Sequence, residues 1–162
     1  MRISFVLFLI MLLGIASVSY SQSDKTTQVD QFGMINCDDY LARMDNAINQ
    51  AAKNSSSRII VHVYEGNTPR YKYKGNTYTI GHFRPQYGLA KAVIRSMKKY
   101  LLLHKAPADR FVFKSAGFRE NFTVDIWQVP NGAKEPEANP TLTKIKYRKG
   151  RPSGFCLSCC GP

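Results

Sequence analysis

Apolar residues recur at intervals of three and four in two segments of the chain, a spacing that places them on one face of a helix. Residues 36–54 form the first segment and residues 84–104 form the second. The apolar positions are Leu41, Met44, Ile48 and Ala51 in the first, and Leu89, Val93, Met97 and Leu101 in the second, widened by Ala90, Ile94 and Tyr100. Both segments are predicted to be amphipathic helices.

Three other segments alternate between apolar and polar residues, which predicts strands. They are "RIIVHVY" (58–64), "RFVFKS" (110–115) and "ENFTVDIWQVP" (120–130). Gly117 is predicted to turn the chain between the last two, and Pro130 to end the ladder because proline has no N–H to donate. Shorter alternation predicts an edge strand in "TTQVDQFG" and a weak strand in "TLTKIKYRK".

Two tyrosine-rich runs flank Gly75 and Asn76, which predicts a β-hairpin between the first strand and the second helix. This order of elements is typical of the α/β class, here an α+β two-layer sandwich. We expect a mixed β-sheet with two helices on one face and an inserted β-hairpin. Residues 22–130 are predicted to form this domain, and residues 131–162, with many Pro and Gly, a Cys-rich tail.

The first 21 residues have the features of a cleaved signal peptide. One arginine precedes an apolar run, residues 3–16, which is shorter than the ~20 residues of a membrane-spanning helix. Ser19 and Ser21 precede the predicted cleavage point. We therefore expect a secreted or periplasmic protein without a transmembrane segment in its mature chain.

The chain is strongly basic, with 23 Lys and Arg against 11 Asp and Glu and a formal net charge of +12. Such a charge attracts anionic partners such as glycans, lipid headgroups and nucleic acid, but it is also compatible with a basic protein that is merely soluble. Charge alone does not choose between these alternatives.

Four cysteines in an exported chain favour disulfides. They are Cys37, Cys156, Cys159 and Cys160. Three pairings are possible, and because adjacent cysteines rarely bridge to each other, we expect the tail to be joined to Cys37. A zinc site is disfavoured because "CLSCC" supplies only one arm of the four ligands. No metal and no cofactor are predicted.

The strand faces that point away from the predicted helices carry candidate binding chemistry. His62 and Tyr64 share this face with Asp125 and Trp127, because Phe122, Val124 and Ile126 are expected to face the core. These side chains could bind a ligand, and His62 with Asp125 could transfer a proton. The tail could instead fold across the face and cover Trp127, and we favour this interpretation because an exposed Trp leaves a large apolar area in water.

The predicted hairpin is the best candidate for contact with an anion. It combines stacking surfaces with charge. The residues are Arg70, Tyr71, Lys72, Tyr73, Lys74 and Tyr78. Ordinary strand propensity explains the same residues slightly better.

A small basic ribonuclease is the enzymatic alternative, and it would need two histidines and a lysine to converge. His62 with His104 is the pair that we consider for it. The sequence contains no Gly-rich phosphate loop and no nucleophile elbow. It therefore favours a module without catalytic activity.

The segments "VDQFGMINCDDYLARMDNAI", "RIIVHVYEG" and "KKYLLLHKAPADRFVFKSAGFRENFTVDIWQVPNGAKEPEANPT" resemble a group of uncharacterised secreted bacterial proteins. More distantly, "YLLLHKAPADRFVF" is similar to the outer-membrane protein A-like periplasmic domain, which binds peptidoglycan. That family grips its ligand with an Asp after the first strand and an Arg in the main helix. In this sequence "EGNTPR" follows the first strand, and Val93 stands where the Arg of the helix is expected. Glu65 and Arg95 are near substitutes for that Asp and Arg, but they do not match them.

From these features we expect an exported, non-catalytic binding or envelope-associated module. Its predicted partner is peptidoglycan or another anionic polymer.

Overall fold

A mixed β-sheet covered on one face by two helices forms the protein, as predicted. The computed structural model describes residues 25–74 and 77–156; the side chains of residues 70–80 are outside this description. The elements are β1 (Thr27–Phe32), α1 (Cys37–Lys53), β2 (Ser57–Lys74), β3 (Thr77–Phe83), α2 (Leu89–Leu103), a 3-10 turn (Ala108–Arg110), β4 (Phe111–Asn121) and β5 (Thr123–Pro130). The predicted signal peptide, the Gly75-Asn76 turn, Cys159 and Cys160 lie outside the described residues.

Strand β2 is the centre of the sheet. Its first part pairs antiparallel with β5 on one side and parallel with β4 on the other. From Thr68 onward β2 pairs antiparallel with β3, so the first strand of the predicted hairpin is the continuation of the central strand. Strand β1 pairs antiparallel with β5, which confirms the predicted edge strand.

Helix α1 begins where its sequence provides a cap. The Oδ1 atom of Asn36 accepts a hydrogen bond from the backbone N–H of Asp39 at 2.8 Å, as expected for an N-cap residue. The buried residues of the helix are Tyr40, Met44, Ala47 and Ala51. Leu41 and Ile48 are only partly buried, so the buried stripe is rotated slightly from the predicted one.

Helix α2 begins at Leu89, later than the predicted start at residue 84. Gly88 precedes it with a positive φ of 81°, a backbone conformation that suits glycine. Gly88 has no side chain to cap the helix, and the buried carboxylate of Glu65 does so instead, accepting from the N–H of Ala90 at 2.9 Å. The predicted stripe is confirmed, with Ile94 partly buried.

The predicted turn at Gly117 is wrong. Strand β4 continues through this residue to Asn121. The positive φ of Gly117, 96°, lies where the pairing register between β2 and β4 shifts after Val63. A glycine that resembles a turn in the sequence therefore forms a bulge inside a strand.

The chain turns instead at Phe122, between β4 and β5. Because these strands flank β2 on opposite sides, their connection crosses β2, and Phe122 N donates to Asn67 O at 2.9 Å. A Cβ atom on Gly66 would lie 2.5 Å from Phe122 N and 2.6 Å from Arg119 O. Only glycine leaves room for this crossing.

The main core lies between the helices and the sheet. Apolar side chains of β2, β4 and β5 meet those of α1 and α2 there, including Val124 and Ile126, which are fully buried. Phe155, near the end of the described chain, also enters this core, and the ring of Phe155 stacks on that of Tyr40 with centroids 4.4 Å apart. The structured unit thus extends beyond the predicted boundary at residue 130.

A disulfide joins Cys37 at the start of α1 to Cys156, which confirms that the tail is joined to the domain through Cys37. The bond is compatible with export into an oxidising compartment. The weak strand predicted for residues 141–149 is wrong, since only isolated bridges form there, at Leu142 and Arg148. Within the described residues, no helix is long and apolar enough to cross a membrane.

Candidate functional site

The sheet face opposite the helices, called here the reverse face, carries four of the predicted site residues together. Strand β2 contributes His62 and Tyr64, and β5 contributes Asp125 and Trp127. In the strand register, His62 lies opposite Asp125. His62 and Asp125 are only 1% and 2% exposed, and Trp127 is partly exposed. These residues are brought together, but not as an open surface.

A segment after β5, residues 134–142, crosses the reverse face and is called here the strap. The backbone N–H of Asn139 donates to the Tyr64 hydroxyl at 3.0 Å. The N–H groups of Thr141 and Leu142 donate to Phe118 O at 2.9 and 3.1 Å. The strap is thus held by hydrogen bonds to both β2 and β4. The tail crosses this face as the sequence favoured, but Trp127, which it was expected to cover, stays partly exposed.

Ion pairs also hold the strap. The Glu135 carboxylate lies 2.8 Å from an Arg58 nitrogen and 2.5 Å from Lys114 Nζ. The hydrogen bond from Lys114 lowers the pKa of Glu135. Because all three side chains are substantially exposed, these pairs position the strap more than they stabilise it.

Asp125 is fully engaged by neighbouring side chains. Arg119 donates to it at 2.9 Å through one nitrogen, and Gln31 Nε2 donates to its other oxygen at 2.7 Å. The Arg119 guanidinium lies 3.6 Å from the ring centroid of Tyr64, a cation–π contact that completes the cluster. A carboxylate held in this way is a structural group of the reverse face.

His62 forms no hydrogen bond with Asp125. Both ring nitrogens of His62, and Trp127 Nε1, are buried without a hydrogen-bond partner among the described residues. Burial, reinforced by the positive charge of Lys114, lowers the pKa of His62. The proton transfer considered for His62 and Asp125 therefore lacks the contact that it requires.

The histidine pair considered for a ribonuclease does not converge. His62 lies on the reverse face, whereas His104 follows α2 on the helix side, where its ring stacks on Tyr100 with centroids 4.1 Å apart. The sheet separates the two imidazoles. The geometry does not favour this alternative.

The predicted anion contact on the hairpin is described only through its backbone. In the register of β2 and β3, Tyr73 lies opposite Tyr78, Lys72 opposite Thr79 and Lys74 opposite Thr77. The side chains of Arg70, Tyr71 and the other hairpin candidates lie outside the described part. Their role in binding stays a prediction.

A basic surface that the sequence analysis missed lies around the start of α2. No acidic residue occurs between Glu65 and Asp109, or after Glu137, and these two stretches contain most of the lysines and arginines. This gap in acidic residues is visible in the sequence. Its meaning depends on the fold, because the two stretches become one surface only if they lie side by side.

The tail brings the two stretches together. Arg148 N donates to Pro85 O, and Arg148 Nε to Arg84 O, both at 3.0 Å. The Tyr147 hydroxyl donates to the buried Glu65 carboxylate at 2.6 Å, while its ring contacts that of Tyr87 with centroids 5.3 Å apart. The tail then runs along α2 to the core.

We define the basic surface by six exposed cations and one tyrosine: Arg84, Lys91, Arg95, Arg148, Lys149, Arg151 and Tyr87. Tyr87 is 75% exposed, the most exposed of the large apolar side chains in the described chain. None of the six cations forms an ion pair with an acidic side chain of the described part. Their charge is therefore available to a partner.

The residues nearest to the peptidoglycan grip of the outer-membrane protein A-like domain do not form one here. Glu65 is buried and already accepts hydrogen bonds from Ala90 and Tyr147, while Val93 lies in the core. Arg95 is exposed. In residues 25–74 and 77–156, no group of three His, Cys, Asp or Glu could hold a metal ion.

Comparisons with known proteins gave no match to a family model, to a curated protein or to a solved structure. The resemblances suggested by the sequence therefore stay hypotheses.

Proposed function

We propose that this protein is an exported binding module without catalytic activity, secreted or periplasmic, which holds an anionic polymer on its basic surface. The proposal depends on one observation. Two stretches without acidic residues, residues 66–108 and the residues after 137, contact each other around the exposed Tyr87. Unpaired cations attract an anionic chain over distances near the Debye length, ~10 Å at ordinary salt.

Cell-wall glycan is the partner that we propose first. Peptidoglycan offers sugar rings and peptide carboxylates on the same polymer. An exposed tyrosine provides a flat apolar surface for the rings and a hydroxyl for hydrogen bonding. Export to the envelope, which the N-terminal sequence predicts, would bring the protein to this polymer.

The test measures retention of the mature protein on purified peptidoglycan in low salt. We expect retention that falls as salt is added, because exposed charges are screened. Protein that stays in solution at low salt would remove peptidoglycan as the partner. An anionic polysaccharide and an RNA oligonucleotide, tested in parallel, identify the polymer class that replaces it.

Matched charge reversals locate the surface. Arg95→Glu with Arg148→Glu changes two residues of the basic surface, whereas Lys25→Glu with Lys53→Glu makes the same change in net charge at exposed positions elsewhere. We expect only the first pair to abolish retention. Equal losses would mean that net charge acts without a defined surface. Tyr87→Ala, at unchanged charge, should weaken retention if the ring contributes.

A further inference from the structure

A groove lies where the C-terminal end of α2 meets β4, and Lys98, one of its lining residues, is three positions after Arg95 of the basic surface. It has a volume of about 290 Å³. It is lined by Lys98, Leu101, Leu102, Ala108, Phe111 and Phe113. Leu102 is 71% exposed at its rim, and Lys98 Nζ lies 5.9 Å from the centroid of the Phe113 ring. The lining is mainly apolar, so the groove suits an apolar side chain of a partner.

The main chain beside the groove is also open. In the described part of the chain, β4 forms a ladder with β2 alone, and its outer edge makes one isolated bridge, between Phe118 and Leu142. Residues 111–115 precede that bridge and are the part of β4 that carries the groove residues Phe111 and Phe113. The outer edge of this part is available for pairing with another strand.

We propose that an extended acidic segment of another protein docks along residues 111–115 of β4 as an added strand. One of its apolar side chains fills the groove, and a carboxylate lies beside Lys98. Strand addition explains why an open edge and an apolar groove occur together, because the backbone supplies the hydrogen bonds and the groove selects the side chain.

Charge distinguishes an acidic partner from a second copy of this chain. Lys98 is the one charged residue among those that line the groove in the described structure. Two copies joined at β4 would bring two such ammonium groups together, in chains that each carry a formal net charge of +12. An acidic segment replaces this repulsion with attraction.

Fluorescence anisotropy with labelled peptides tests the proposal on the full mature chain. The probe is a peptide of about eight residues, long enough for one strand, in which valine and glutamate take turns at every second position with threonine between them, so that both face the groove. A valine–lysine peptide is its charge control. We expect the acidic peptide to bind at least about tenfold more tightly than the basic one. No detectable binding of the acidic peptide would overturn the proposal.

N-methylation of the peptide separates strand addition from simple charge attraction. Two versions carry methyl groups on alternate backbone nitrogens, in the two possible phases. We expect one version to lose binding and the other to retain it, because only one edge of the peptide can pair with β4. Equal binding by both versions would show charge attraction alone and overturn the proposal.

Matched substitutions on α2 locate the contact. Lys98→Glu and Leu102→Glu should each weaken binding of the acidic peptide by about tenfold. Lys99→Glu and Leu103→Glu make the same charge changes at exposed neighbours that do not line the groove, and they should leave the affinity unchanged. Equal losses in both sets would contradict docking here. A dimer in sedimentation that Leu102→Glu dissociates would assign the groove to a second copy instead.

Discussion

The two faces of the sheet are closed by different means. On the helix face, apolar side chains of two helices and of Phe155 bury the strands, and a disulfide joins the start of α1 to Cys156. On the reverse face, the strap is fixed by backbone hydrogen bonds, by the Glu135 ion pairs and by the cluster around Asp125.

Apolar periodicity in the sequence therefore accounts for only one of the two layers. The helix face is stable because the area removed from water is large and non-directional. The reverse face depends on specific donors and acceptors, and it leaves the nitrogens of His62 and Trp127 without a hydrogen-bond partner in the described part of the chain. We therefore expect substitutions on the helix face to cost more stability, and those on the reverse face to depend more on pH.

Removing the disulfide should have the largest effect. The bond joins residues separated by 119 positions, so its loss in Cys37→Ser with Cys156→Ser should lower the free energy of unfolding by about 4 to 5 kcal/mol, because the unfolded chain regains entropy. Urea unfolding of the double variant and the wild type measures this difference. An unchanged midpoint would mean that noncovalent packing alone closes the helix face.

Truncating Phe155 should have the next largest effect. Phe155→Ala removes a buried ring that contacts Tyr40, Phe32 and Phe122, and it should cost about 3 kcal/mol with the disulfide intact. Phe155→Leu keeps most of the volume and should cost clearly less. If the two variants are equally stable in urea, the tail does not fill the core.

Breaking the cluster on the reverse face should have a smaller effect. Asp125→Asn leaves the Arg119 guanidinium, whose side chain is 16% exposed, without its counter-ion, and we expect a loss of about 2 kcal/mol. A double-mutant cycle with Arg119→Met isolates the pair, since the second change should cost little once the first is present. Strictly additive losses would contradict the coupling.

Acid sensitivity should be the smallest effect and should be specific to the reverse face. The pKa of His62 in the folded protein is lowered from 6.5. As the pH falls below 6.5, the unfolded chain therefore binds a proton at this residue more readily than the folded chain does. The free energy of unfolding is thus at its full value above pH 6.5 and decreases as the pH falls below it. The slope cannot exceed about 1.4 kcal/mol per pH unit for one group. The urea midpoint should vary less with pH in His62→Gln than in the wild type. In the exposed control His82→Gln, it should vary as much as in the wild type.

The helix face could be predicted because its information is local. Leu89, Val93, Met97 and Leu101 repeat at helical spacing, and they are buried as that spacing requires. Gly117 misled the prediction because glycine favours turns and bulges through the same positive φ, and only pairing with β2 distinguishes the two.

The reverse face and the basic surface could be predicted only in part. The alternation of β2 and β5 correctly placed His62 beside Asp125, but it did not predict Arg119 as the partner of Asp125. The strap has no periodicity, and the groups that hold it, such as Tyr64 and Phe118, are distant in the sequence. The basic surface likewise requires Arg148 to dock beside Arg84, a contact that no local pattern encodes.

The position of β2 between β4 and β5 also constrains the order in which the chain folds. Both long neighbours of β2 come from residues 111–130, so the central strand has neither of them until those residues have been made. A nascent chain that ends before residue 111 leaves the apolar first part of β2, residues 58–64, with two unpaired edges, a form prone to aggregation. Folding should therefore be late and slow, and chaperones should bind the incomplete chain around residues 58–64.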